Sequence, residues 1–101
     1  MTSRLITNIR RKQLERVAAV LIAERFPNAK VGAQKDLVVI KDGPRIACLC
    51  LRGSSAEVPR EKRAEHGKLR RRNIEVFVCR SDSEIQFALD AVPAIKRSAR
   101  L

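Results

Sequence analysis

The stretch Leu37-Val38-Val39-Ile40-Lys41-Asp42-Gly43-Pro44-Arg45-Ile46-Ala47-Cys48-Leu49-Cys50-Leu51 decides the fold. Its first arm, residues 37–40, is β-branched and apolar on both faces, as strands covered by helices are. Between the arms, Asp42-Gly43 is a strong hairpin signal, because glycine accepts the positive φ that tight turns need. Two antiparallel strands over residues 37–40 and 46–51, joined by a short turn, follow from this.

Upstream of the hairpin, residues 29–33 form a weakly signalled strand. Before them Leu14, Val17, Ala18, Leu21 and Ile22 recur at helical spacing, with the charged residues mostly off that face. A helix over residues 8–25 is expected, capped by Thr7 or Asn8 and stopped at Phe26-Pro27-Asn28, since the residue before a proline is pushed out of the α region. Downstream, Gly53-Ser54-Ser55 opens a loop, and residues 59–72 read as a second helix whose apolar content is thin. Ile74-Glu75-Val76-Phe77-Val78-Cys79 is a further strand. Ser81 and Glu84 then make a capping box opening a helix in which Ile85, Leu89 and Val92 share a face, with Ala88 beside them and Pro93 as terminator. Because a helix separates strand 46–51 from strand 74–79, those two should run parallel. The expected architecture is α/β: a mixed sheet in α-β-β-β-α-β-α order, with one domain over residues 1–92 and a mobile basic tail over residues 93–101.

Composition bounds the partner. Across 101 residues, 22 Lys and Arg face 11 Asp and Glu, a formal charge of +11. Such self-repulsion asks for an anionic partner, and nucleic acid fits first, since each neutralised phosphate releases counterions. A membrane surface fits poorly: no helix joins a wide apolar face to interfacial aromatics, and Trp and Tyr are absent. The longest apolar run, residues 17–23, is far too short to span a bilayer, and the N-terminal residues carry no apolar leader. Cys48, Cys50 and Cys79 are odd in number and lie in apolar strands, which fits small buried hydrophobes in a reducing, cytoplasmic setting better than disulfides or a zinc site.

Several short motifs keep a common order. Asp36 opens the second strand, and 14 positions on stands Cys50-Leu51-Arg52. There follow Gly53-Ser54-Ser55, Val58-Pro59-Arg60-Glu61-Lys62-Arg63, His66 and Leu69, and later Val76-Phe77-Val78-Cys79-Arg80-Ser81-Asp82-Ser83-Glu84. This co-linear set, over residues 35–89, resembles the restriction-endonuclease-like core of the PD-(D/E)xK nucleases, and within them the VRR-NUC group with its short stand-alone phage domains. The family's Pro-Asp pair reads Lys35-Asp36 here, and its Glu-x-Lys reads Cys50-Leu51-Arg52.

The resemblance implies a metal-dependent nuclease site, and the departures imply its loss. In the family, carboxylates from adjacent strands hold Mg²⁺ or Mn²⁺, hard ions that want oxygen ligands, while the metal positions phosphate and activates water. Here Asp36 is the one metal ligand retained, Cys50 is a soft replacement, and Arg52 grips phosphate but stays protonated and cannot act as a base. No cofactor is expected of such a site. Relatives of this type imply homodimers acting on branched DNA, and the expected function is inactive binding of duplex or branched DNA. Two alternatives stand beside it. One is an active structure-selective endonuclease whose second carboxylate has moved to Glu15, Glu24, Glu57 or Glu61. The other is a phage-encoded interaction protein that meets an acidic host protein.

The basic residues give the candidate interface. Residues 60–72 hold seven Lys or Arg against two Glu, so i,i+4 pairing leaves five charges uncompensated. Arg52, Arg60, Lys62, Arg63, Lys68, Arg70, Arg71 and Arg72 are the expected phosphate contacts, with Arg60, Arg63, Arg70 and Arg71 as a stripe and Arg4, Arg10, Arg11 and Lys12 as an extension. His66 is readable as a base or ligand, or as a surface or hydrogen-bonding residue. Phe26, Phe77 and Phe87 all read as core, which leaves no stacking platform and favours recognition of backbone or junction shape.

Overall fold

A 24-residue helix, α1 (Thr2–Arg25), leads into strands β1 (Lys30–Gln34), β2 (Leu37–Asp42) and β3 (Arg45–Leu51), helix α2 (Arg60–Arg70), strand β4 (Glu75–Cys79), helix α3 (Asp82–Ala91) and a 3₁₀ turn, Val92–Ala94. This computed structural model describes residues 2–34 and 36–100, with side chains from Leu5 onward, so Lys35 and the Arg4 side chain lie outside the described residues. The order of elements is the expected one. The sheet runs β1-β2-β3-β4, antiparallel at its first two junctions and parallel between β3 and β4.

The hairpin closes with Asp42 opposite Arg45, leaving Gly43 and Pro44 as the turn. Gly43 has φ +61°, the sign that the first position of a II′ turn demands and a Cβ resists. Alternation along β3 then divides the core. Leu49 and Leu51 face α1 and α3, where they pack with Leu14, Ala18, Ile22, Ile40, Cys79, Ile85, Ala88 and Leu89. Cys48 and Cys50 face the other way with Val39, Ile46, Ile74 and Val76, against the half-buried Leu69 of α2. All three cysteines are buried thiols, and burial pushes Cys48 up to about 11 and Cys79 up to about 12.

The capping box opens α3: the Ser81 hydroxyl accepts from Glu84 N at 3.2 Å, and the Glu84 carboxylate accepts from Arg80 N at 2.9 Å. Arg25 at the end of α1 pairs with Asp90 of α3, tying the two helices that share a face.

Three expectations are corrected. First, α1 begins at Thr2 and not near Asn8: Leu5, Ile6 and Ile9 are exposed, so this turn adds no amphipathic signal, and the helix simply propagates backward from its packed half. Its path is fixed by Gly53, where a Cβ would stand 2.0 Å from the Thr7 carbonyl oxygen. Second, Phe87 is 74% exposed; it lies two residues from Ile85 and therefore off the face shared by Ile85, Ala88 and Leu89. Third, the basic tail is docked. Ile95 is buried at 7% beside Val92 and Ala47, and Ser98 N donates to Pro44 O at 2.9 Å. Among the described residues no helix is long and apolar enough to cross a membrane.

Candidate nucleic-acid interface

Asp36 stands at the mouth of β2, and the register that sets Leu37 opposite Cys50 brings the Asp36 and Arg52 ends of two strands together. Two helices close over them. From α2, the Lys62 ammonium donates to Asp36 Oδ2. From α1, Arg11 adds a third positive charge. The Lys62 hydrogen bond holds the Asp36 carboxyl below its ordinary value against the opposing pull of burial, and Arg11 and Arg52 lower it further. The same three cations act on Cys50, whose thiol burial nonetheless pushes up.

These side chains come from three separate elements, and two of them are poorly satisfied. Arg11 Nε and Arg52 Nε are buried with no hydrogen-bond partner. Arg11 Nε stands 3.5 Å from Glu15 Oε1, an ion pair without hydrogen-bond geometry, and Arg52 reaches Glu57 O at 3.5 Å through a terminal nitrogen. The site therefore has cationic donors in excess of acceptors.

Beside it lies a cavity of about 200 Å³ lined by Asp36, Leu37, Cys50, Glu61, Lys62, Glu65 and His66. His66 is 4% exposed, so the surface reading of it is corrected. Burial, and then the nearby Arg70, lower its basicity below the ordinary value of 6.5, Lys62 adds to this, and Glu65 opposes it. Helical spacing explains the placement: His66 lies four residues from Lys62, on the α2 face turned toward the sheet. Of the carboxylates considered for a relocated ligand, Glu61 lines this cavity, Glu15 lines an adjoining cleft with Arg11 and Asp36, Glu57 supplies only its carbonyl to Arg52, and Glu24 lines neither.

The residues present do not fit Mg²⁺ or Mn²⁺. The Asp36 carboxylate is engaged by an ammonium, the second ligand position is a thiol, and no group of three or more His, Cys, Asp or Glu is arranged to hold a metal ion among the described residues. In chemical terms the Lys62 ammonium supplies the positive charge that meets the Asp36 carboxylate.

The candidate phosphate contacts divide into two sets. Lys62 and Arg52 are half-buried at the Asp36 site, whereas Arg60, Arg63, Lys68, Arg70, Arg71 and Arg72 are exposed along and just beyond α2. Arg70 is pinned at one end by donating to Val76 O at 2.7 Å. On α1, Arg10 and Lys12 are exposed and Arg11 turns toward Asp36. Sequence reasoning missed Arg80, which braces the loop after β3 by donating to Ser54 O at 3.2 Å and Ala56 O at 3.0 Å. Nothing local marks that role, because donor and acceptors lie 24 to 26 residues apart.

No protein-family model, curated protein or solved structure matches the chain.

Proposed function

We propose that this chain is a nucleic-acid-binding protein with a restriction-endonuclease-like core of the PD-(D/E)xK type, catalytically inactive, whose α2 face grips the phosphate backbone of duplex or branched DNA. The observation that carries this reading is the Lys62 ammonium on Asp36, with Arg11 and Arg52 beside it. A site built this way attracts phosphate and repels the metal that cleavage would need. The exposed arginines of α2 extend the same charge outward, and guanidinium forks match phosphate oxygens in pairs.

Backbone recognition suits the aromatic arrangement. Phe87 is exposed, but α3 packs on the sheet face opposite α2, so no aromatic platform adjoins the basic helix.

The test is a salt titration of binding to a duplex and a four-way junction. Log affinity should fall steeply with log salt, by about 0.9 for each phosphate engaged on duplex. A flat response overturns the reading. Incubation of the junction with Mg²⁺ or Mn²⁺ should leave it intact, and cleavage that disappears in Asp36→Ala would restore the enzymatic alternative, with Glu61 as the first carboxylate to replace. Capture of an acidic protein that survives nuclease treatment would favour the third reading.

A further inference from the structure

We propose that residues 95–100 are a built part of the polyanion-binding surface, held in place by Ser98 so that Lys96, Arg97 and Arg100 continue the basic face of α2. The inference rests on the reading of α2 as a nucleic-acid interface and extends it to a segment that sequence alone leaves as a loose tail.

The anchoring is two-sided. On the hairpin side, the Ser98 hydroxyl accepts from Ile46 N at 3.0 Å, Ser98 N donates to Pro44 O at 2.9 Å, and Arg45 Nε donates to Ile95 O at 2.9 Å. On the α2 side, the Ser98 hydroxyl donates to Asn73 O at 2.6 Å, Ala99 N donates to Arg72 O at 2.8 Å, and the Asn73 side-chain amide donates to Arg97 O at 3.4 Å. Asn73 itself has φ +58°, a left-handed geometry that asparagine tolerates better than most residues and that turns the chain out of α2.

The consequence is a merger of two cationic segments. Residues 68–72 carry Lys68, Arg70, Arg71 and Arg72, residues 96–100 carry Lys96, Arg97 and Arg100, and neither segment contains an acid. All seven are exposed. Glu75 shares a cleft with Lys96 and Asn73 and is the carboxylate that enters this end of the molecule from β4. Bringing like charges together opposes folding, yet backbone hydrogen bonds fix them there, and a partner with repeating negative charge would relieve the repulsion. Fixing the backbone beforehand also removes ordering entropy from the binding step.

A phosphate backbone suits this surface better than an acidic protein does. Protein interfaces centre on buried aromatic or aliphatic anchors, and the exposed large hydrophobics of the described residues, Leu5, Ile6, Ile9, Val20, Val31 and Phe87, all lie on other elements.

The experiment compares fluorescence anisotropy of a labelled random-sequence duplex, across about 50–200 mM salt, for the parent chain, Arg97→Ala/Arg100→Ala, Ser98→Ala and Arg63→Ala. The tail double variant should lower the salt slope by about 1–2. Ser98→Ala keeps every charge and should weaken binding while hydrogen exchange at Ala99 N speeds up, because the anchor and not only the charge is needed. If Arg63→Ala weakens binding but both tail variants match the parent, this inference fails and the α2 reading stands. A parent with no salt-dependent binding overturns both. Equal competition by polyglutamate, lost equally in the tail variants, would overturn nucleic acid as the partner of this segment.

Discussion

The two faces of the sheet are built to different standards. Under α1 and α3, Ile22, Ile40, Leu49, Ile85 and Leu89 are wholly enclosed, and the helices are themselves tied by Arg25 and Asp90. Under α2 the sheet side is also buried, with Val39, Ile46, Cys48, Cys50, Ile74 and Val76, but the helix itself answers only with His66 and a half-buried Leu69. A cleft of about 300 Å³ opens there among Gln34, Leu37, Cys48, Glu65, Lys68, Leu69 and Arg72. The difference lies in the helices: α1 and α3 bury apolar stripes, whereas α2 buries one imidazole and leaves most of its surface to charge.

The sharpest way to break this contrast is truncation in the core. Leu49→Ala or Ile22→Ala should cost about 2–5 kcal/mol in chemical denaturation, whereas Leu69→Ala should cost about 1 kcal/mol. Equal losses would end the distinction.

A pH series probes the α2 layer next. His66 is less basic folded than unfolded, so the unfolded chain takes up the proton first as pH falls below 6.5. Stability should therefore decline from about pH 6.5 downward until the folded imidazole also protonates, and His66→Gln should flatten that limb of the stability curve. Asp36 acts in a lower window. Its folded carboxyl titrates below 3.8, so what it contributes is fully present above that value and lost as pH falls through the folded one. Because this pair is partly exposed, Asp36→Asn should cost no more than about 1 kcal/mol at neutral pH. Smallest of all, Arg63→Ala and Arg71→Ala should leave stability within about 0.5 kcal/mol while lowering the salt slope of DNA binding.

What the sequence disclosed follows the range of the interactions involved. The Asp42-Gly43 turn, the Ser81 cap and the periodicity of Leu14, Ala18 and Ile22 are local, and they gave the order of elements and both strand directions. Phe87 reads as core because an aromatic in an apolar helix suggests it, although its two-residue offset from Ile85 places it outside, where it is exposed. The docking of Ser98 rests on partners 25 and 52 residues away, beyond any local pattern. The same holds at the site. Cys50, where the resemblance would place a second carboxylate, is legible in the sequence, but the Lys62 contact with Asp36 spans 26 residues and the approach of Arg11 depends on how α1 crosses Gly53.

α2 is also the crossover between two parallel strands, and this bears on how the molecule assembles. β4 cannot pair with β3 until residues 52–74 have closed over the sheet, and non-local closures of this kind govern folding rates. The closing segment is the most cationic in the chain, so its own repulsion slows that step, and added salt, with a screening length of about 10 Å at 0.1 M, should speed refolding. Salt would then assist the chain in reaching its native state while opposing the proposed hold on a polyanion once there, so the same screening acts in opposite directions on folding and on binding.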